Sequence, residues 1–195
     1  MKHILLIATG GTIASRPTEN GLAPQLLADD ILRCVPALGS LCRIDAVQPM
    51  NIDSTNMSPD CWLALAACLR EHCDRYDGFV ITHGTDTMAY TACALSYLAQ
   101  NSGKPIVLTG AQKSIYVQDT DARRNLYDAF VAAQDESLAG VYIVFDGRVI
   151  LGTRARKTRT KSMNAFSSID YPDVALIRDG RILHYIRQPL PQTPP

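Results

Sequence analysis

The sequence lacks an excess of charge of either sign and any long apolar run. Its 19 basic and 19 acidic residues balance, so it carries no electrostatic footprint of the kind that nucleic acids or anionic membranes select. No apolar run approaches the ~20 residues of a membrane-spanning helix. The apolar run at the N-terminus is too short for a signal peptide and leads directly into two glycines. We therefore expect a cytoplasmic protein that binds neither nucleic acid nor membrane.

The six cysteines also lack the spacing of a metal site. None forms a Cys-x-x-Cys pair, and no Cys/His pattern typical of zinc sites is present. In a cytosolic protein the thiols stay reduced, and cysteine then packs as a small hydrophobic residue. The sequence predicts neither a zinc site nor a disulfide framework.

What the chain does have is a regular alternation of strand-like and helical segments. Five strand-like runs cover residues 4–8, 44–47, 78–82, 105–109 and 140–145. Three helical patterns cover residues 59–73, 87–100 and 122–133, the last with Asp121 as a candidate N-cap. Such alternation predicts a mostly parallel sheet with helices on both faces. We expect a three-layer α/β fold with a flavodoxin-like strand order.

The C-terminal part reads differently. Segments 174–177 and 181–185 flank an Asp-Gly pair, which is a strong β-hairpin signal. Residues 188–195 contain four prolines and predict an extended or disordered tail. We expect one domain over residues 1–187, ending in a hairpin and followed by this tail.

Near the N-terminus, the polar segment 16–21 fits either a mobile lid or a plain surface connection.

Two threonine-glycine segments each follow a strand-like run. The first contains Gly11 and Thr12, and the second contains Gly84, Thr85 and Asp86. In open α/β sheets, ligands bind beyond the carboxyl ends of the strands. Glycine lets backbone N–H groups approach a reacting atom, and an activated threonine hydroxyl can form an acyl intermediate. The pattern favours nucleophilic chemistry at this edge of the sheet.

Plainer interpretations of the first segment exist. Thr12 fits the N-cap of a short helix, and a glycine loop can also bind phosphate. The chain lacks both GxGxxG and GxxxxGK[ST], which disfavours the phosphate loop. On these residues alone, the helix cap is the simpler interpretation of Thr12.

The two segments resemble the signatures of bacterial-type L-asparaginases, in particular their cytoplasmic-type branch. The matching stretches are TGGTIA at residues 9–14 and HGTDTM at residues 83–88. The resemblance continues through MNIDSTNM at 50–57, TGAQ at 109–112 and GTRARKT at 152–158. Five segments in the family's order cover nearly the whole chain.

The resemblance implies the N-terminal catalytic domain of an asparaginase. The second α/β domain of longer members, roughly 100–150 residues, is absent from this sequence. The implied reaction is hydrolysis of L-asparagine to L-aspartate and ammonia, without metal or organic cofactor. The implied catalytic residues are Thr12, the nucleophile, with Thr85, Asp86 and Lys157, and the implied substrate-binding residues are Gly11, Ser54, Thr55, Gly84 and Ala111.

Several of these assignments have alternatives. In the family, Asp86 binds the substrate ammonium, Ser54 its carboxylate, and Lys157 lies beside Thr85. Asp86 also suits a helix N-cap, and Ser54 suits a turn. Lys157 is surrounded by four further cations between residues 154 and 161, which is typical of a solvated charge run. We expect His83 to be a packed or hydrogen-bonded structural residue, with an acid–base role as the alternative.

One position departs from the family pattern. Many asparaginases place a tyrosine in the loop after the first signature, where this chain has Leu22. Proton transfer from Thr12 is then expected to pass through a water, or through Lys157 with Thr85.

Other functions stay open on the sequence. They are a relaxed amidase that also accepts glutamine, an amidotransferase-type domain acting on amidated tRNA, and a non-catalytic amino-acid-binding module. The sheet and its long helices predict a homo-oligomer, a dimer or tetramer built on isologous contacts.

Overall fold

Four strands of the sheet, at residues 3–8, 78–82, 105–109 and 140–145, are mostly apolar. Both faces of each strand are covered by other parts of the protein. In the computed structural model, alternate side chains of the first strand enter different clusters of buried residues. Ile4 and Leu6 belong to one cluster, whereas Leu5 and Ile7 belong to the other. A strand whose two faces are both covered reads as a continuous hydrophobic run.

The structure describes residues 1–18 and 21–186, with the backbone alone at 16–18 and 21–24. The predicted Pro-rich tail at 188–195 lies outside the described residues. The helices and strands are β1 (His3–Ala8), β2 (Ser15–Thr18), β3 (Gly21–Pro24), α1 (Ala28–Arg33), α2 (Leu38–Leu41), β4 (Arg43–Val47), α3 (Pro59–His72), β5 (Gly78–Thr82), α4 (Met88–Leu98), β6 (Pro105–Thr109), α5 (Ala122–Ala133), β7 (Gly140–Phe145), β8 (Arg148–Leu151), β9 (Ala155–Lys157), β10 (Phe166–Ser168), β11 (Ala175–Arg178) and β12 (Arg181–His184).

The main sheet has the order β12-β11-β8-β7-β6-β5-β1-β4. Strands β4, β1, β5, β6 and β7 run parallel to one another. In chain order these five strands lie as 2-1-3-4-5, which is the flavodoxin-like order. The other three strands, β8, β11 and β12, continue the sheet with antiparallel pairing. The predicted mostly parallel sheet is confirmed.

Helices cover both faces of this sheet. One buried cluster joins α1, α2 and α5 to one face, through residues such as Ile31, Leu38 and Phe130. The other joins α3 and α4 to the opposite face, through residues such as Leu69 and Leu95. The predicted three-layer architecture is confirmed. Among the described residues, no helix combines the length and apolar composition that crossing a bilayer requires.

The predicted C-terminal hairpin is confirmed, with a shift of one residue in its first strand. β11 and β12 pair antiparallel, and Asp179 and Gly180 form the turn with φ of 50° and 70°. Positive φ at both central residues is the geometry that favours Asp-Gly in tight hairpins.

The polar segment at 16–21, interpreted as a lid or a surface connection, belongs mostly to two paired strands. β2 and β3 pair antiparallel, with Ser15 opposite Pro24 and Thr18 opposite Gly21. Their backbone ladder supplies regular structure that the polar side chains do not signal. Glu19 and Asn20, between the two strands, lie outside the described residues.

Candidate active site

The two threonine-glycine segments leave neighbouring strands at the point where the strand order reverses. β1 pairs with β4 on one side and with β5 on the other. The crevice outside such a switch point is the usual ligand site of an open α/β sheet. The segments after β1 and β5 are also joined, because the Thr9 hydroxyl donates to the Thr82 carbonyl oxygen at 2.9 Å.

Glycine allows these segments to touch. Gly11 has φ of 77°, and a Cβ there would lie 2.4 Å from the Gly84 nitrogen. A Cβ at Gly84 would lie 2.5 Å from Ser54 Oγ. Side chains at either glycine would push the three segments apart. The structure thus brings Gly11, Gly84 and Ser54 together, three of the residues that the sequence predicts for substrate binding.

Thr12 opens a short 3₁₀ turn, Thr12–Ala14, directly after Gly11. The residue is partly exposed, and its hydroxyl makes no hydrogen bond to the described part of the chain. The end of the turn is anchored, since Ser15 Oγ donates to the Gly11 carbonyl and Ser114 Oγ donates to the Ser15 carbonyl. The backbone that carries Thr12 is held while its hydroxyl is left available.

Thr85 is held much more tightly. Lys157 Nζ donates to Thr85 Oγ1 at 2.8 Å and to Asp86 Oδ1 at 2.7 Å. The Lys157 side chain is only 16% exposed and that of Asp86 is 61% exposed. Lys157 ends β9, which pairs with β10 and carries the lysine over the end of β5. The structure places Lys157 in this cluster, away from the solvated charge run that its neighbours indicate.

The predicted helix cap at Asp86 is not what the structure shows. α4 begins at Met88 with Thr87 at the N-cap position, one residue after Asp86. Asp86 uses its carboxylate for Lys157, while the Thr87 hydroxyl donates to the Ser54 carbonyl.

Gln112 also contacts the cluster, although the sequence gives it no role. Its Oε1 accepts from the Thr85 hydroxyl at 3.3 Å. Its Nε2 donates to the carbonyls of Thr160 and Ser162, at 2.9 and 3.0 Å. Gln112 therefore ties the segment after Lys157 to the end of β6. Its place after Thr-Gly-Ala at a strand end is a signal for a site residue, but not for these partners.

The loop that carries Gln112 is organised by a buried carboxylate. Asp121 accepts from the backbone N–H groups of Gln112 and Lys113 and from Asn125 Nδ2. Asp121 occupies the predicted N-cap position of α5, but its side chain makes no cap hydrogen bond to the helix. The Thr120 hydroxyl instead accepts from the Ala122 N–H.

Two further predicted residues lie at the edge of the cluster. Thr55 is exposed, and its N–H and hydroxyl both donate to Asp53 Oδ1 at 2.8 Å. Ser54 next to it is buried. Ala111 is buried between Gly110 and Gln112 at the end of β6. A Cβ at Gly110 would lie 3.6 Å from Thr85 Cγ2, which places this strand end against Thr85.

The arrangement brings together the Thr12 hydroxyl, which has no partner among the described residues, and the Thr85 hydroxyl beside the Lys157 ammonium group. Both lie next to glycines at the same edge of the sheet. A hydroxyl of this kind can attack a carbonyl carbon, and nearby N–H groups can hold the negative charge that develops. The ammonium group of Lys157 can release a proton and the carboxylate of Asp86 can accept one, and both can bind the charged groups of an amino acid.

Comparison with known proteins agrees with this geometry. The family model "Asparaginase, N-terminal" matches residues 3–190. An L-asparaginase from Thermococcus kodakarensis is 42% identical over 185 residues, covering 92% of this chain and 55% of that protein. A protein from Methanococcus vannielii, named as a component of glutamyl-tRNA(Gln) amidotransferase, is 37% identical over 203 residues, covering 98% of this chain and 47% of its own length.

A solved structure gives the same result. The structure of a probable cytoplasmic L-asparaginase from Campylobacter jejuni superposes with a TM-score of 0.87 at 33% identity, covering 96% of this chain and 58% of that one. The chain spans about half the length of the curated relatives it matches. A family model that covers nearly the whole chain and relatives at this level of identity lead to one conclusion: the chain belongs to the asparaginase family, and it matches the N-terminal part of the longer members.

Proposed function

We propose that the protein hydrolyses the side-chain amide of L-asparagine, giving L-aspartate and ammonia through a threonine acyl-enzyme. The observation that carries the proposal is the Lys157–Thr85–Asp86 cluster, with contacts of 2.8 and 2.7 Å, on the strand next to the one that delivers Thr12. Relatives named L-asparaginase support the same reaction.

In the first half of the reaction, Thr12 Oγ attacks the amide carbon of the substrate. The hydroxyl proton passes to the leaving nitrogen, so ammonia departs and an ester joins Thr12 to the aspartyl group. Backbone N–H groups near Gly11 and Thr85 hold the oxyanion, and removing one such donor typically costs ~10²–10³ in rate. In the second half, water attacks the ester carbon, aspartate leaves and the Thr12 hydroxyl is restored.

Proton transfer is assigned to Lys157, Thr85 and a water. The water takes the Thr12 proton while the Lys157 ammonium, acting through the Thr85 hydroxyl, gives a proton to the leaving nitrogen, and the lysine then regains its proton from the water. Leu22 stands where many relatives have a tyrosine, and its side chain lies outside the described residues. Lys157 is the cation nearest to the Thr85 hydroxyl, at 2.8 Å, so this pair supplies the most direct proton route next to Thr12.

Substrate recognition is assigned to residues around the same cleft. Asp86 binds the substrate ammonium and Ser54 its carboxylate, while the Ala111 carbonyl accepts from the amide nitrogen. Thr55, whose donors are turned to Asp53, shapes the turn that presents Ser54. The Asp86 carboxylate already accepts a hydrogen bond from Lys157, so the substrate ammonium would be its second cationic partner.

Ammonia release from L-asparagine tests the proposal, with aspartate formation measured in parallel. The account predicts turnover of L-asparagine that exceeds turnover of L-glutamine. Thermal stabilisation by L-aspartate without any ammonia release would instead identify an amino-acid-binding module. Equal turnover of both amides would identify a relaxed amidase, the alternative that the relatives named for glutamyl-tRNA(Gln) amidotransferase support.

We also propose a cytoplasmic homo-oligomer. An open groove of ≈ 650 Å³ extends from Asp86 and Lys157 past α4, and Tyr90 on its wall is 66% exposed. Tyr97, two helical turns further along α4, is 64% exposed. Apolar surface next to a site is typical of an interface. Light scattering at micromolar concentration should show a dimer or tetramer, and a clean monomer would contradict the assembly.

A further inference from the structure

His83 is a buried histidine beside the candidate site for which the proposed reaction has no use. It follows β5 directly, and its side chain is fully buried. A buried polar ring is stable only where its nitrogens find partners. Both ring nitrogens of His83 do: Nδ1 lies 2.8 Å from the Gly84 carbonyl oxygen, and Nε2 lies 2.9 Å from Thr91 Oγ1.

The partners fix which nitrogen carries the proton. A carbonyl oxygen can only accept, so Nδ1 carries the hydrogen and donates to Gly84. Burial lowers the pKa of His83 to about 4, against the Gly84 hydrogen bond, which raises it. The ring is therefore neutral near pH 7, and Nε2 accepts from the Thr91 hydroxyl.

Thr91 is in turn oriented from α3. Trp62 Nε1 donates to Thr91 Oγ1 at 3.0 Å, and an indole N–H can only donate. The result is a one-way chain of donors from Trp62 to Thr91, from Thr91 to His83, and from His83 to the Gly84 carbonyl. Thr91 and His83 are buried, Trp62 is partly buried, and a chain in which each group has its partners holds a single geometry.

The end of the chain is the peptide bond between Gly84 and Thr85. In a trans peptide the C=O and N–H groups point in opposite directions. Fixing the Gly84 carbonyl toward the His83 ring therefore fixes the Thr85 N–H away from it. Within the described residues this N–H donates to no protein acceptor, although Thr85 is buried. In a residue this little exposed, backbone N–H groups usually have a partner, so this N–H is available to a bound ligand.

We infer that the Trp62–Thr91–His83 chain is a positioning device that aims the Thr85 N–H at the oxyanion formed when Thr12 attacks the substrate. His83 acts through the Gly84–Thr85 peptide and does not touch the substrate. The inference rests on the proposed function, because the negative charge that the Thr85 N–H would stabilise develops only when Thr12 attacks the substrate. It gives His83 a role that requires no proton transfer by its ring.

Substitutions at His83 separate positioning from acid–base chemistry. In His83→Asn, the side-chain amide N–H takes the place of Nδ1–H and still donates to Gly84, whereas His83→Leu has no donor. An interaction made only in the transition state changes kcat and leaves KM almost unchanged. His83→Leu should lower kcat roughly 10- to 100-fold, less than outright loss of an oxyanion donor. His83→Asn should recover most of that loss, and its pH–rate profile should match the wild type.

Matched variants complete the series. Thr91→Val breaks the chain one link further out and should lower kcat in the same direction but less than His83→Leu does. His72→Leu is the control, because His72 Nδ1 also donates to a carbonyl, that of Cys68 in α3, away from the cleft. It should leave kcat unchanged. An undiminished kcat in His83→Leu, or an equal loss in His83→Asn and His83→Leu, would overturn the inference.

A measurement without turnover keeps the inference separate from the proposed function. Nitrogen-15 NMR should show His83 as the neutral Nδ1–H tautomer from pH 5 to pH 8. The Thr85 amide resonance should move in His83→Leu and much less in His83→Asn. If the wild-type protein released no ammonia, the proposed function would fail, and these resonances would still decide the positioning. An Nε2–H tautomer, or a Thr85 amide unmoved in His83→Leu, would overturn it.

Discussion

The two threonines of the cleft differ in how the protein holds their hydroxyls. Thr85 is buried, accepts from Lys157 and donates to Gln112. Thr12 is partly exposed, and within the described residues its hydroxyl has no partner. Both follow glycines at the ends of adjacent parallel strands, so the difference does not come from the strands. It comes from β9, which brings a lysine to only one of them.

The contrast assigns different chemistry to two residues of the same type. A nucleophile has to move toward the substrate carbon, and a hydroxyl already committed to two partners would have to break both contacts. A proton-transfer or positioning residue benefits from fixed partners instead. We therefore propose covalent attack for Thr12 and a supporting role for Thr85, and substitutions at the site can separate the two roles.

The largest expected effect is at Thr12. Thr12→Ala should lower turnover of L-asparagine by at least ~10³-fold, because the proposed ester forms on the Thr12 hydroxyl. Circular dichroism should show an unchanged fold. Thr153→Ala, at an exposed threonine near the groove, serves as the control and should keep full activity. A Thr12→Ala protein with more than a tenth of wild-type activity would reverse the assignment of the two threonines.

The next effect concerns the cation that distinguishes Thr85. Lys157→Met should lower kcat about 100-fold, because the Thr85 hydroxyl loses its ammonium partner and the site loses its proton route. Lys161→Met removes an exposed cation only four residues further along the chain and should change kcat little. Equal, small effects at both positions would show that the Lys157–Thr85 contact has no catalytic importance.

Asp86 should matter for binding more than for the chemical step. Asp86→Asn removes a charge-assisted contact to the substrate ammonium, and such contacts contribute ~1.5–3 kcal/mol. The side chain is 61% exposed, so solvent screening favours the lower end, about a tenfold weaker affinity for L-aspartate by calorimetry. An unchanged affinity would remove Asp86 from the recognition of the amino group.

The smallest expected effect is on stability, and it tests the contrast without any substrate. Thr85→Val leaves Lys157 Nζ and Gln112 Oε1 each short of a partner and should cost about 1 kcal/mol of unfolding free energy. Thr12→Val removes a hydroxyl with no partner among the described residues and should change stability by less than about 0.5 kcal/mol. Thermal unfolding of the two variants gives the comparison. Equal losses would show that Thr12 has stabilising contacts of its own.

Much of the fold follows from local signals in the sequence. The strands Gly78–Thr82, Pro105–Thr109 and Gly140–Phe145 and the helix Ala122–Ala133 have the predicted bounds. Each is an apolar run or an amphipathic segment bounded by turn residues. Helices α1 and α2 have only six and four residues, too few for a period of 3.6 to show in the sequence.

The site was less accessible to sequence reasoning, because its contacts join distant segments. Lys157 looks like one cation among several, and only its tertiary contact with Thr85, 72 positions away, sets it apart. The predicted hydrogen-bonded His83 is confirmed, but the contacts of Gln112 and the links from Trp62 and Thr91 to His83 were missed for the same reason. The spacings that bring them together come from helix packing and from the β9–β10 hairpin, which leave no local pattern.

The division between the two threonines can be tested most directly by locating the acyl group. The protein is mixed with L-asparagine, quenched in acid during turnover, and analysed by intact mass and peptide mapping. The account predicts a mass increase of one aspartyl group on the peptide that contains Thr12, absent from Thr12→Ala and present in Thr85→Val. An adduct on the peptide that contains Thr85, or an adduct that persists in Thr12→Ala, would contradict it.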